Sequence, residues 1–423
     1  MAALRNRQAL LILVLSGEAI FLLPFVLPRV FRPTLLAVFE ISNLELGSYF
    51  SAYGLVAVAA YFFGGPLADR IAPHKLMSIA LFATACGGVY LATIPGTVGL
   101  LWLYATWGLT TILLFWAAML RATRLAGGAG FQGRAFGFLE GGRGMVSALV
   151  ATLGVAVLGA VFPQGGEGTD LVAQRAGFQA ITATFSGLVF LASIAVWWGL
   201  RSLPHDATVQ ATRIRGADIL RLSAKPKLWL LALIILCAYS GYRVLDDISL
   251  LASDVLGYDD VQAARLSSIS LFLRPIAAIG GGILADRYLS SRMSLFAFLL
   301  MLSGMIGVAF GPLATWGVVT VWLSVIFGGL GVYALRGLYF ALIDEADIPI
   351  LLTGTAVGLA SVIGYLPDIF MPPLMGQLLD MNPGALGHQH VFGLGIGFGV
   401  LGLVGVWIFR RLRSAEPSDL PTN

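Results

Sequence analysis

The sequence predicts an all-α membrane protein, with twelve transmembrane helices in two pseudo-symmetric six-helix bundles. Three observations carry that prediction. The first is composition: 58% of the 423 residues are hydrophobic and 11% are charged, whereas an average soluble domain carries about 25% charged residues. So few charges cannot cover a water-soluble core of that apolar content. The second is a series of twelve apolar runs, each near the length that crosses a bilayer. The third is a repeat. Gly65-Pro66-Leu67-Ala68-Asp69-Arg70 returns as Gly282-Ile283-Leu284-Ala285-Asp286-Arg287, 217 residues on, each copy where an apolar run meets a short polar loop. A repeat at half-chain spacing points to a duplicated six-helix unit.

Taken in order, the first six spans fall at about 9–30, 46–68, 76–95, 98–120, 134–162 and 178–200. The second six fall at about 227–250, 264–285, 292–312, 316–342, 351–377 and 391–411. The expected domains are an N-terminal bundle over 1–200, a polar and basic linker over 201–226, and a C-terminal bundle with a short tail over 227–423. None of the runs alternates every second residue, so each reads as a helix and not as a strand of a barrel. The 52 glycines suit close helix–helix approach in lipid, as in Gly137-x-x-x-Gly141, Gly354-x-x-x-Gly358 and Gly393-x-x-x-Gly397. Pro24, Pro28, Pro367, Pro372 and Pro373 allow bends within spans. Cys86 and Cys237 lie inside apolar runs, so no structural disulfide is expected. The first run is as long as a full span, which argues against a cleaved signal peptide.

Basic residues set the expected orientation. With the N-terminus in the cytoplasm, 18 of the 26 Lys and Arg fall on the cytoplasmic side. Only Arg29, Arg32, Arg175 and Arg265 fall outside, and Arg143, Arg243, Arg274 and Arg336 fall within spans. That bias places both termini inside. The formal charge of +4 then reflects topology and anionic headgroups, and nucleic-acid binding is not implied.

Each copy of the repeated hexapeptide closes an even-numbered helix. Glycine permits close packing, the aspartate can sit at the positive N-terminus of a neighbouring helix, and the arginine can reach another loop. This motif resembles the cytoplasmic loop signature of the major facilitator superfamily, and the resemblance extends over all twelve spans. A further resemblance, to the YihN-like bacterial permeases, distant relatives of the organophosphate antiporters, rests on Gly133-Arg134-Ala135-Phe136-Gly137-Phe138-Leu139-Glu140-Gly141-Gly142-Arg143-Gly144 and Leu335-Arg336-Gly337-Leu338-Tyr339. Gly354-Thr355-Ala356-Val357-Gly358 and Gly364-Tyr365-Leu366-Pro367-Asp368 extend it. The first hexapeptide departs from the superfamily pattern downstream, where Ala72-Pro73-His74 replaces a glycine and basic residues. The resemblance implies a gate made of Gly65, Asp69, Arg70, Arg134, Gly282, Asp286 and Arg287. It would place Asp69 near Thr353–Thr355, Asp286 near Gly133–Arg134, and Arg287 near Asp344 or Glu345, in contacts made only when the cytoplasmic side is closed.

Ionisable side chains deep in a span are costly unless they face partners or water, which makes each a functional candidate. Glu18 lies in the first span, Glu140 and Arg143 three apart in the fifth, and Arg243, Asp246 and Asp247 in the seventh. Arg274, Arg336 and Asp368 lie in the eighth, tenth and eleventh. One reading makes them internal ion pairs, with Glu140–Arg143 and Arg243–Asp247 self-neutralised and Arg274-Pro275 a kink. The other makes them a site. The resemblance implies a cavity lined by spans 1, 4, 7 and 10, with 2, 5, 8 and 11 contributing. Four buried arginines and no buried lysine suit bidentate recognition of carboxylate or phosphate. Arg243, Arg143, Arg336 and Arg274 are the candidate substrate anchors, with Tyr239, Tyr242 and Tyr365 beside them; Glu18, Glu140, Asp246, Asp247 and Asp368 can carry protons. Trp102, Trp107 and Trp116 read as packing or interface anchors.

His388-x-His390 lacks a Cys or third His nearby and reads as a solvated outer loop, so no metal is expected. There is no Gly-x-x-x-x-Gly-Lys-Ser/Thr phosphate loop, so neither ATP drive nor a cofactor is expected. The expectation is a secondary active transporter of the bacterial inner membrane, monomeric, moving a small polar organic anion by proton symport or anion exchange. An uncharged polar solute, a drug-like efflux substrate, or a non-transporting receptor on the same fold stay open. No nucleophile–base constellation stands out, so an enzyme is not expected.

Overall fold

A computed structural model describes residues 2–127, 132–162, 171–203, 222–311, 313–339, 341–346, 348 and 353–414. Side chains are described for all of these except 2–6, 127, 132–137, 286, 313–316, 344, 353–355 and 413–414. The described residues are helical with no strand, and twelve helices are long and apolar enough to span a membrane. They are α1 (Arg7–Val30), α2 (Asn43–Arg70), α3 (Pro73–Ala92), α4 (Thr97–Ala126), α5 (Phe138–Val161) and α6 (Leu171–Gly199). After residues 204–221, which lie outside the described set, come α7 (Pro226–Leu256), α8 (Asp260–Ala285), α9 (Ser290–Phe310), α10 (Gly317–Leu338), α11 (Ala356–Met381) and α12 (Ala385–Leu412). Twelve crossings put both chain ends on one face, here called the terminal side; the opposite face is the far side.

Buried side chains form two cores. One is built from α1 to α6 and takes in Ala264 and Leu271 of α8; the other is built from α7 to α12. Outward-facing apolar residues such as Phe62, Phe63, Trp102 and Phe310 stay exposed, as lipid-facing surfaces require.

Five helices are interrupted, each beside the centre of the molecule. α1 widens into a π-helical turn at Leu22–Val26 around Pro24, which has no N–H to donate. α4 does the same at Leu109–Trp116. α7 tightens into a 3-10 turn at Leu245–Asp247. α11 breaks after Gly364 and restarts at Pro367, where a proline in the first turn loses nothing. α8 also restarts at Leu273, next to Arg274-Pro275, in keeping with the expected kink.

Two sequence expectations need correction here. α12 begins at Ala385, so His388 is helical and fully buried rather than part of a solvated loop. The apolar pattern hid this, because the helix continues through polar residues whose partners are on α7. The close-approach glycines also differ from those expected: Gly358, Gly393 and Gly397 have nothing within 4 Å of where a Cβ would stand. The tight positions are Gly47, Gly54 and Gly376 at the α2–α11 contact, and Gly304 and Gly331 at the α9–α10 contact.

Candidate functional site

The helix interruptions lie beside one central cavity lined by side chains from both halves. Its walls come from α1, α2, α4, α5, α7, α8, α10 and α11. Glu18, Arg143, Arg243, Arg274, Arg336, Asp368, Tyr239, Tyr242 and Tyr365 all line it, together with Arg29, Tyr53, Tyr61, Phe25 and Trp116. Asp246 does not line it but a separate, smaller pocket with Arg32, Leu46 and Gly47.

Two ion networks run through the cavity wall. In the first, Arg243 of α7 is 1% exposed. Its Nε donates to Asp368 Oδ1 at 2.7 Å, its Nη2 reaches the same oxygen, and its Nη1 donates to Asp246 Oδ2 at 2.9 Å. Tyr239 Oη donates to Asp368 Oδ2 at 3.3 Å. Asp368 sits in the first turn of the second α11 segment, where the positive helix end favours a carboxylate. Asp246 Oδ1 is gripped in turn by Arg29 of α1 at 2.5 Å, so this network crosses between the halves. Aromatic faces shield it: Arg243 lies 4.6 Å from the Phe25 ring centre, and Arg29 lies 4.3 Å from that of Tyr242.

The second network centres on buried Glu18 of α1. Arg274 Nη1 of α8 donates to it at 2.9 Å, and Arg143 Nε of α5 lies 3.3 Å away. Arg143 also donates to Glu140 Oε1 at 2.7 Å and to the Gly17 carbonyl at 3.0 Å. Glu18–Arg274 is a second bridge between the halves. Gly144 permits it, because a Cβ there would meet Arg274 Cγ at 3.0 Å.

Arg336 of α10 differs from the other four arginines. Its guanidinium lies 4.1 Å from the Tyr242 ring centre and 5.6 Å from that of Tyr239. No ion pair joins it to a carboxylate among the described residues, whereas Arg29, Arg143, Arg243 and Arg274 each hold at least one. Beside it, Tyr339 and Tyr365 hydroxyls are 3.2 Å apart, and the Tyr365 ring lies parallel to Tyr61 across the two halves at 6.1 Å.

Asp247 does not pair with Arg243, contrary to the self-neutralised pair read from the spacing. The 3-10 turn rotates it out of the cavity, and its Oδ2 lies 2.6 Å from His388 Nδ1. Arg29 and Arg32 are 4% and 6% exposed, on helical segments at the far end of α1. Arg175 and Arg265 fall near the far-side ends of α6 and α8. Sequence reasoning missed Arg29 because it stands at the very end of the first expected span, about 9–30, and counts with the residues outside; its partner Asp246 is 217 residues away.

The far side is sealed. Arg32 donates to Asn43 Oδ1 at 2.8 Å and lies 3.8 Å from Asp247. Asp380 of α11 accepts from the Asn43 and Leu44 backbone N–H groups at 3.1 and 2.8 Å, capping the start of α2. A Cβ on Gly47 would stand 2.5 Å from the Pro372 carbonyl oxygen, so the α2 and α11 backbones touch.

The terminal side is different. Gly65 and Gly282 have open space beside them, and Asp69, Arg70 and Arg287 are exposed. Arg121 Nη1 donates to the Ala68 carbonyl at 2.5 Å and the Asp69 carbonyl at 3.1 Å, tying down the end of α2 within its own half. Glu345 accepts from the Ser291 N–H at 3.0 Å. The side chains of Asp286, Arg134, Asp344 and Thr353–Thr355 lie outside the described residues, so the contacts expected of them are not on view.

Twelve membrane helices around one central charged cavity, tight on the far side, define a transporter built for alternating access. The chain belongs to the Major Facilitator Superfamily, whose family model matches residues 9–372. It is 29% identical over 424 residues to inner membrane protein YihN of Escherichia coli (strain K12), covering 97% of this chain and 96% of that one. It is 26% identical to inner membrane protein YqcE of the same organism, covering 89% and 88%. Among solved structures, it is similar to a bacterial homologue of the human lysosomal transporter Spinster in an inward-facing and occupied conformation, with a TM-score of 0.69 at 15% identity over 98% of each chain. It is also similar to the nucleoside transporter NupG, with a TM-score of 0.66 at 15% identity over 96% of this chain and 100% of that one. The protein is therefore a secondary transporter of small molecules and not an enzyme.

Proposed function

We propose that the protein carries a small polar organic anion, a carboxylate or phosphate ester, seated on Arg336. The observation that carries this reading is the uneven pairing of the cavity: five arginines line it, and Arg336 alone is in no ion pair among the described residues. An anion supplies the missing charge. The planar guanidinium, a group suited to bidentate contact with an anion, lies over Tyr242 and Tyr239, and Tyr365 adds a hydroxyl to the cavity wall. Arg143 and Arg274, anchored on Glu18, are second contacts, and anion arrival competes with Glu18 and Asp368 for them and for Arg243. Such competition links binding to the two bridges between the halves, Glu18–Arg274 and Asp246–Arg29. Proton loading of Glu18 or Asp368, or exchange against a second anion, completes the cycle.

The lysine and arginine bias supports a bacterial inner-membrane placement with both termini cytoplasmic, in line with the two inner membrane relatives. The terminal side is then the cytoplasmic side, and this conformation faces inward. The bundles 1–200 and 227–423 move as units about the cavity, with the linker 201–226 between them. The duplicated motif residues Gly65, Asp69, Arg70, Arg134, Gly282, Asp286 and Arg287 come together when that side closes.

The test is a thermal-shift and counterflow screen of the purified monomer against carboxylates, phosphate esters, sugars and amines. Anions should stabilise the wild type, and Arg336→Gln should lose that stabilisation while keeping its fold. A cationic or uncharged substrate, or normal anion binding by Arg336→Gln, overturns the assignment.

A further inference from the structure

We propose, resting on the anion reading above, that Glu140 tunes the seat to a single negative charge. The cargo is then a monocarboxylate, and a dianionic phosphate monoester is discriminated against. Five arginines line the cavity: Arg29, Arg143, Arg243, Arg274 and Arg336. A guanidinium stays charged in proteins and offers donors only. Four carboxylates are paired with them among the described residues. Glu18 accepts from Arg274 Nη1 at 2.9 Å, and Glu140 accepts from Arg143 Nη1 at 2.7 Å. Asp246 accepts from Arg243 Nη1 at 2.9 Å, and Asp368 accepts from Arg243 Nε at 2.7 Å. Five positive charges against four negative ones leave a surplus of one. Arg32 and Asp247 face each other at the far seal and leave that balance as it is.

A charge left uncompensated inside a membrane protein is costly. One monoanion on Arg336 brings the cavity to neutrality. A dianion overshoots by one charge, and the fixed carboxylates repel it. At an effective dielectric constant of about 20, one extra unit charge repelled across about 8 Å weakens binding about tenfold or more.

Glu140 sets this count at the seat. Its charge acts on Arg336 as well as on Arg143 and Arg274. Its side chain is 43% exposed, against 3% for Glu18, so water reaches it. Arg143 keeps other holds without it: its Nε lies 3.3 Å from Glu18 and donates to the Gly17 carbonyl at 3.0 Å. Glu140 is therefore not needed to anchor Arg143, and its charge is left to act on the bound anion.

The experiment titrates the purified full chain at about pH 8, where a phosphate monoester carries close to two charges and a carboxylate one. The probes are pairs that share a body: glycerate against glycerol 3-phosphate, glucuronate against glucose 6-phosphate, and benzoate against phenyl phosphate. In the best-binding pair, the carboxylate should bind the wild type about tenfold or more tightly than the phosphate. The monomethyl ester of that phosphate, bulkier but singly charged, should recover most of the difference. Glu140→Gln should tighten the phosphate monoester by about tenfold and change the carboxylate less, whereas Arg336→Gln should weaken both. Equal or tighter binding of the phosphate monoester by the wild type overturns the proposal, and so does an ester that binds no better than its parent. An unchanged preference in Glu140→Gln overturns the role of Glu140. The wild-type comparison decides the charge class without any variant. Tighter phosphate binding that still needs Arg336 would leave the anion reading standing, whereas no binding by any probe removes both.

Discussion

The two ends of the α2–α11 pair are built from the same materials, and they sit in opposite conditions. At the far end, Gly47, Gly54 and Gly376 bring backbones into contact, Asp380 caps a helix of the other half, and Arg29 and Arg32 face Asp246 and Asp247. At the terminal end, Gly65 and Gly358 have nothing within 4 Å, and Asp69 and Arg70 are exposed. Glycine plus an aspartate at the end of a helix is thus used twice, partnered on one side and, among the described residues, exposed on the other. The difference teaches that a side's composition does not tell whether it is shut. An interface that must both close and open needs small residues and a few directional charge contacts, because a deep apolar seam would hold it in one state.

The largest effects come from filling the small positions. A Cβ at Gly47 would strike backbone atoms of Pro372 and Pro373 at 2.5–2.6 Å, and backbone cannot swing aside as a flexible side chain can. Overpacking of that kind costs about 1–3 kcal/mol. Gly47→Ala should therefore shift the equilibrium away from the present state by about tenfold or more, read by spin-label distances across the far side. Gly65→Ala should do the reverse. It meets nothing here and gains about 0.5–1 kcal/mol of helix propensity, so the present state should be slightly more heat-stable while transport slows. Equal behaviour of the two variants would break the comparison.

Next in size is the contrast between Arg243 and Arg336, which share the cavity under different obligations. Arg243 neutralises Asp368 and half of Asp246 inside the protein. Arg243→Gln should leave buried carboxylates uncompensated and cost about 3–5 kcal/mol, seen as a large loss of thermal stability with or without ligand. Arg336→Gln should cost little stability and remove ligand stabilisation instead. Reversal of those two outcomes would make Arg243 the anion seat.

The fold was legible because period and length are strong signals: every span can be placed from apolar runs, and the repeat exposes the duplication. The charged residues of the cavity were legible as well, since a buried charge in a span has few other uses. Partnership was not. Asp246 and Asp247 are adjacent, and helical spacing offers both to Arg243; only the 3-10 turn decides that one faces the cavity and the other faces His388. Arg243's pairing with Asp368 is a contact 125 residues distant in sequence, which no local pattern encodes. Arg29 and His388 escaped for a related reason: each is a polar residue near a span end, where a loop and a helix look alike until its partner is known.

The smallest expected effect sharpens the comparison most finely. Asp380 accepts from two backbone N–H groups and the Asn43 side chain, and Ser42 and Glu45 already form a capping box on the same helix end. The start of α2 therefore stays capped when Asp380 is changed, and only the contact between the halves is weakened. Asp380→Asn keeps one acceptor oxygen but loses the charge, worth about 0.5–1 kcal/mol at an exposed helix start. That corresponds to about a two- to fivefold shift toward far-side opening, with unchanged helix content and thermal midpoint. The same substitution at the other end, Asp69→Asn, should leave the far-side distance distribution of this state unchanged, since Asp69 is exposed here, and should slow transport only through the state in which the terminal side closes. If Asp380→Asn instead lowers the thermal midpoint without moving the distance distribution, the aspartate is part of the α2 cap alone, and the far seal rests on the Arg29 and Arg32 contacts.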